Sequence, residues 1–204
     1  MRLVLASGSP RRRELLAQAG FVFEVKAADI DETRRVGEAP AEYVQRLAVE
    51  KAEVVARLLN QAVVEPGSEN PDPGHPFSGD VIVLGADTTV VLDGEVMNKP
   101  VDQADAERML RALSGKTHQV HTGLAVVSGE RRVTHVETTN VTFRVIEEEE
   151  LGVYLASGHA MDKAGAYGIQ GYAARWIPRI EGDYFNVMGL PLSVVVRMLG
   201  EIAA

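Results

Sequence analysis

The chain has 204 residues, 46% hydrophobic and 25% charged, the balance of a globular protein with enough apolar surface for a core, which excludes a fibrous or globally disordered chain. Its 21 basic and 29 acidic side chains leave a formal charge of −8, which argues against a protein built to neutralise a polynucleotide backbone, because such binders carry a dense basic face. Cysteine is absent, so disulfides, thiolate metal sites and cysteine nucleophiles are excluded by chemistry, in keeping with a reducing compartment.

The N-terminus is apolar only as far as Ala6 before Arg11-Arg12-Arg13, too short for a secretory signal. No apolar run approaches the roughly 20 residues that cross a bilayer. The expectation is a soluble, cytoplasmic protein with neither a membrane nor a nucleic-acid polymer as partner. Leu3-Val4-Leu5-Ala6 predicts a short buried strand. Ser7-Gly8-Ser9 then forms a turn, with Ser9 as helix N-cap, Pro10 at the first helical position and Gly20 closing a helix over residues 11–19. Phe21-Val22-Phe23-Glu24-Val25 predicts a second strand, followed by an acidic loop through Asp29, Asp31 and Glu32. Over residues 40–59, Val44, Leu47, Val54, Val55 and Leu58 fall largely at helical spacing, and Lys51 lies inside that amphipathic helix.

Residues 61–80 are dense in turn formers and read as a flexible surface insertion. Val81-Ile82-Val83-Leu84 predicts a buried strand entering Gly85-Ala86-Asp87-Thr88, so that Asp87 sits where the strand surfaces, and Val90 to Glu95 continue as a strand into an Asp-Gly turn. A helix over residues 102–113 stops at Gly115. Strands over residues 120–127 and 133–145 join at Ser128-Gly129-Glu130, and a helix follows over residues 147–156. The Gly-rich residues 163–171 resemble a binding loop, Trp176-Ile177-Pro178-Arg179-Ile180 an edge strand, and Pro191 opens the last helix. This alternation predicts an α/β fold around a mixed, twisted sheet flanked by helices.

Three groups of residues carry chemistry. Ser7-Gly8-Ser9-Pro10-Arg11-Arg12-Arg13 places small residues and arginines at a helix N-terminus, whose unpaired N–H groups and partial positive charge suit a polyphosphate. The plain alternative is a capped surface helix with solvated arginines, which the helix dipole disfavours. Asp87, between Gly85-Ala86 and Thr88, is placed as a catalytic acid, base or metal ligand would be. With Glu32, Asp31 or Asp29 it faces a polyphosphate only across a hard divalent cation; otherwise Asp87 caps a turn and the acidic loop is solvated. Lys51 and Lys99 are sparse cations able to reach phosphate oxygens, or plain surface lysines.

Other patterns fail on spacing. Gly115-Lys116-Thr117 ends like a P-loop, but Leu110 stands where its first glycine belongs. His118 and His121, three apart in a strand, point to opposite faces and cannot share a zinc ion. Gly165-Ala166-Tyr167-Gly168 lacks the dinucleotide spacing.

Taken in order, Ser7-Gly8-Ser9-Pro10-Arg11-Arg12, Glu50-Lys51-Ala52, Gly85-Ala86-Asp87-Thr88, Asn98-Lys99-Pro100, Lys163-Ala164-Gly165-Ala166-Tyr167-Gly168-Ile169-Gln170-Gly171 and Gly189-Leu190-Pro191 resemble the Maf family of nucleoside triphosphate pyrophosphatases over nearly the whole chain. The resemblance implies hydrolysis of a nucleoside triphosphate to monophosphate and pyrophosphate in one domain of two lobes with a central cleft, as in inosine-triphosphatase-like folds, usually as a homodimer. The Gly-rich segment and Gly182-Asp183-Tyr184-Phe185-Asn186-Val187-Met188 are similar to the branch acting on dTTP and UTP rather than on 7-methyl-GTP. By position, Asp87 resembles the general base. Arg11, Thr88 and Gln170 match residues tied to substrate choice; Ser7, Ser9, Arg12, Lys51 and Lys99 look like phosphate contacts; Glu32 and Asp87 lie on the side of a divalent Mg²⁺, Mn²⁺ or Co²⁺. The insertion, Arg13, Asp183 and Met188 depart from the pattern. Two rival expectations are a non-catalytic nucleotide sensor in cell division and a housecleaning enzyme for deaminated purine triphosphates.

Overall fold

The computed structural model describes residues 2–62 and 81–204. Strands β1 (Arg2–Leu5), β2 (Glu24–Val25), β3 (Val81–Leu92), β4 (Glu95–Met97), β5 (Thr117–Ser128), β6 (Arg131–Thr142) and β7 (Arg179–Glu181) alternate with helices α1 (Pro10–Gln18), α2 (Pro40–Ala62), α3 (Gln103–Leu113), α4 (Glu148–Ala156), α5 (Tyr184–Val187) and α6 (Leu192–Ala203). The strands form one mixed sheet in the order β2-β1-β3-β5-β6-β7, with β4 paired on β3. β1 runs parallel to β2 and β3, and every other pairing is antiparallel.

Strand alternation decides which helix covers which face. Leu3, Leu5, Ile82, Leu84 and Ala86 pack on Leu15 and Leu16 of α1 and on Val195, Met198, Leu199 and Ile202 of α6. Val4, Ala6, Val83, Ala125 and Val127 pack on Ala48, Ala52 and Val55 of α2. A further core gathers Met109, Leu110 and Leu113 of α3 and Leu151 and Tyr154 of α4 around Phe143, Tyr167 and Trp176.

Gly85-Ala86-Asp87-Thr88 does not end a strand, contrary to the sequence-based expectation. β3 runs unbroken through it, and Asp87 sits mid-strand, opposite Gly123 of β5. The glycines serve packing instead of a turn. A Cβ on Gly85 would lie 2.1 Å from the Ala48 carbonyl oxygen, and one on Gly123 would lie 2.2 Å from that of Val44. Helix α2 therefore crosses the sheet with its backbone pressed on two bare positions, one on each central strand. Gly123→Ala is expected to destabilise the protein by about 3 kcal/mol or more, because backbone rather than a pliant side chain must give way; a urea unfolding midpoint checks it.

Four predicted strands shift for local reasons. The strand predicted over residues 21–25 shrinks to Glu24–Val25, since only two residues of β1 pair with it and Val22 is 94% exposed. The predicted edge strand starts only after Pro178, which has no N–H for the ladder; residues 172–176 form a 3₁₀ turn that buries Trp176. The hairpin strands begin earlier than expected, at Thr117 and Arg131, and meet in a two-residue turn with Gly129 at φ 57°. Gln61 and Ala62 complete α2, and the rest of the predicted insertion, residues 63–80, lies outside the described residues. No helix among the described residues is long and apolar enough to cross a membrane.

Candidate active site

A hollow of about 590 Å³ opens between α1, the centre of β3, α2 and the Gly-rich segment, within the size range of small-molecule sites. It is lined from both the core beneath α1 and α6 and the core beneath α3 and α4. Residues 7–9 follow β1 directly and bring the first turn of α1 to its edge. Ser9 caps that turn by accepting from the Arg12 N–H, Pro10 begins the helix, and the Ser7 hydroxyl accepts from the Ser9 N–H at 3.2 Å.

The three consecutive arginines have different fates. Arg12 is only 9% exposed. Its Nε donates to the Gly189 carbonyl at 2.8 Å, Nη1 to the Ala86 carbonyl at 2.9 Å and to Ser7 Oγ at 3.1 Å, and Nη2 to Thr88 Oγ1 at 2.9 Å. These bonds commit four of its five N–H donors to the protein and tie α1, β3 and the turn before α6 together at one point. Arg11 reaches across the hollow to the Asp162 carboxylate at 3.0 Å, which also pairs with Lys163. Arg13 faces solvent.

Asp87 lies two residues after Gly85 on the same face of β3, and so beneath α2. Lys51 projects from the neighbouring turn of that helix. Its Nζ lies 2.6 Å from Asp87 Oδ1 and 2.7 Å from Glu32 Oε1. Lys51 and Asp87 are each 8% exposed, whereas the Glu32 side chain is open to solvent. Burial pushes the Asp87 carboxyl above the usual aspartate range, against the pull of Lys51 and then Arg12. One ammonium thus bridges two carboxylates at the floor of the hollow. Glu32 is held through its backbone: its carbonyl accepts from the Tyr43 hydroxyl at 2.8 Å, Tyr43 accepts from Asn98 Nδ2 at 3.1 Å, and Asn98 Oδ1 accepts from the Thr89 hydroxyl at 2.9 Å. That chain also fixes the backbone leading to Lys99.

Lys99 and Gln170 are exposed residues of the lining, and neither side chain has a polar partner among the described residues. With them, the ten residues to which the family resemblance gave a role line this one hollow, whereas Asp29, Asp31 and Arg13, also singled out from the sequence, do not. The Gly-rich segment carrying Gln170 packs on β3 through Gly165, at φ 66°, where a Cβ would meet Val90 at 2.8 Å. It is anchored below by Tyr167, whose hydroxyl bonds His118 Nε2 at 2.8 Å. Burial pulls His118 down to about 4, so it is neutral at pH 7. His121 Nδ1 bonds the Thr138 hydroxyl at 2.8 Å instead.

The family profile described as Maf-like protein matches residues 2–202. The chain belongs to the Maf family. It is 47% identical over 199 residues to a dTTP/UTP pyrophosphatase of Koribacter versatilis, covering 98% of this chain and 93% of that protein. It is 48% identical over 200 residues to the protein of the same name from Symbiobacterium thermophilum, with the same coverage. Among solved structures, the Ham1 protein of Staphylococcus aureus aligns over 70% of this chain and 72% of its own, at 16% identity and a TM-score of 0.42.

In this Maf chain, several residues of the hollow escaped sequence reading. Asp162, which partners both Arg11 and Lys163, carries no local signal beside an exposed loop. Tyr43 reads as an ordinary core residue of an amphipathic helix. Asn98 stood beside Lys99 within a recognised string, and its carboxamide was the available signal.

Proposed function

We propose that the chain hydrolyses dTTP and UTP to the nucleoside monophosphate and pyrophosphate, through attack of water on the α-phosphorus. The observation that carries this reading is the buried Asp87 carboxylate, held against Lys51 on the floor of a hollow whose rim offers a helix N-terminus and further cations. A triphosphate tail is strongly anionic and competes for Lys51. When the ammonium turns to a phosphate oxygen, Asp87 loses its nearest counter-charge inside a dry site, and its affinity for a proton rises. Asp87 then accepts a proton from water as the oxygen attacks, the α–β anhydride bond breaks, and pyrophosphate leaves. Lys51, Lys99, the Ser9 N-cap region and Ser7 receive the tail, and Arg12 keeps one N–H for it while holding the cradle together.

Once Lys51 has turned away, Glu32 and Asp87 are the residues that would hold a hard divalent ion; among the described residues no cluster of three or more His, Cys, Asp or Glu forms a cage of its own. A bound Mg²⁺, Mn²⁺ or Co²⁺ supplies charge neutralisation at the phosphates. The base is read by Gln170, whose amide offers both a donor and an acceptor, with Thr88 and Arg11 completing the pocket. The same reading includes a two-lobed domain, a homodimer and a cytoplasmic setting.

Pyrophosphate release from UTP, dTTP, CTP, GTP and ITP with each metal tests the proposal. Turnover of UTP and dTTP supports it. Binding without turnover makes the protein a sensor, and preference for ITP makes it a purine housecleaning enzyme. Gln170→Glu is expected to lower kcat/KM for UTP and dTTP about tenfold and to raise CTP in the ranking, because the carboxylate repels O4 of uracil and accepts from the cytosine amine. An unchanged ranking places base choice elsewhere.

A further inference from the structure

Thr88 faces Thr122 directly across β3 and β5, and their hydroxyls are 2.9 Å apart. Thr122 is fully buried and lies behind the hollow rather than in its wall. Which hydroxyl donates follows by elimination. Thr122 Oγ1 lies 3.1 Å from the Asn186 carbonyl oxygen, and a carbonyl only accepts, so the single Thr122 proton points there. Thr122 therefore accepts from Thr88. On its other side Thr88 Oγ1 receives Arg12 Nη2 at 2.9 Å, and a guanidinium only donates. The Thr88 hydroxyl has spent its proton and one lone pair inside the protein. What remains toward the hollow is one acceptor lone pair.

The far end of the chain is rigid. Asn186 is wholly buried on α5; its backbone N–H donates to the Asp183 cap at 2.9 Å, and its Nδ2 to the Val120 carbonyl and to Thr139 Oγ1, each at 3.0 Å. The carbonyl that orients Thr122 is thereby fixed from three sides. Gly189, at φ 101°, leaves Thr88 uncovered, since a Cβ there would press on its hydroxyl at 3.2 Å.

The geometry points to Thr122 as a specificity-determining, positioning residue: through Asn186 it fixes the Thr88 hydroxyl as an acceptor, so that the pocket takes a base presenting a ring N–H donor and rejects one presenting a ring lone pair. Uracil and thymine carry that donor at N3, whereas cytosine carries a lone pair there. The inference rests on the reading above that Thr88 meets the base.

The wild-type enzyme is assayed with CTP and with 3-deazacytidine triphosphate, in which a C–H replaces N3 and its lone pair. Relief of the acceptor–acceptor clash is expected to raise kcat/KM for the deaza analogue about tenfold over CTP, mainly through KM. Thr122→Val frees the Thr88 proton to turn outward. It is expected to reverse that order and to cut the UTP-to-CTP preference about tenfold, while Thr122→Ser keeps the wild-type pattern. CTP equal to or better than its deaza analogue on the wild type overturns the inference, and that comparison stands even where Thr122→Val fails to fold. Loss of preference in both Thr122 variants also overturns it, leaving packing alone. Thr88→Val separates the two levels. If it abolishes the UTP-to-CTP preference while the deaza test fails, Thr88 reads the base with the opposite polarity. If it leaves the preference intact, Thr88 does not meet the base and both readings fall.

Discussion

Asp87→Asn is expected to lower kcat for UTP about a thousandfold while nucleotide binding and the folded state persist. The amide keeps the size and shape of the side chain, and Lys51 retains Glu32 at 2.7 Å as a partner, so neither the packing of α2 nor the cradle is lost. What disappears is a site able to accept a proton from water, and a positioned general base contributes about 10²- to 10⁴-fold. The wild-type pH profile gives an independent reading of the same group. With Asp87 as the base, activity needs its ionised form, burial raises its proton affinity, and the acid limb of kcat/KM is therefore expected above the pH at which an ordinary aspartate titrates. Full activity of Asp87→Asn with metal supplied, measured as pyrophosphate released, removes Asp87 from the role. An acid limb that survives in the residual activity of the variant assigns it to another group.

Arg12→Met is expected to destabilise the fold by about 3 kcal/mol or more and to abolish most activity. Truncation leaves the Gly189 and Ala86 carbonyls and the Ser7 and Thr88 hydroxyls without their shared donor, and each buried polar group left unpaired costs about 1–3 kcal/mol. Arg12→Lys is expected to recover less than half of the loss, because three donors on a point charge cannot reproduce a planar fork spread over three segments. Urea midpoints at unchanged m-value report the stability. A variant of unchanged midpoint and raised KM alone would make Arg12 a substrate contact in the simple sense its position at a helix N-terminus first suggested.

That contrast shows where sequence reading stops. Ser9, Pro10 and Gly20 marked the ends of α1 because capping is a local property of chain and side chain. The adjacent Arg11, Arg12 and Arg13 are chemically identical in the string, and only the helical rotation between successive positions sends one to Asp162, one into the protein and one to solvent. Asp87 was legible as a carboxylate framed by small residues. The role of those small residues was not, because the backbone of α2 that excludes a side chain at Gly85 and Gly123 is set by tertiary packing. Asp162 was invisible for a related reason: its partner Arg11 lies 151 residues away, and no local pattern records such a contact. Thr122 likewise resembled filler in a strand until the register of β3 on β5 set one hydroxyl opposite another, and Asn186, although part of a quoted motif, gave no sign that its carbonyl would meet Thr122.

The parallel placement of β1 has a consequence for the order in which the molecule assembles. β5 and β6 are joined by two residues, so loop-closure entropy brings them together early. β1 instead pairs Arg2 with Val81 and must wait for a long stretch of intervening chain to be synthesised and to settle. Since residues 7–12 hang directly from β1, they are expected to reach their final setting among the last parts of the fold. A nascent chain carrying only its N-terminal third has the arginines but nowhere to seat Arg12 until the central strands arrive to receive it.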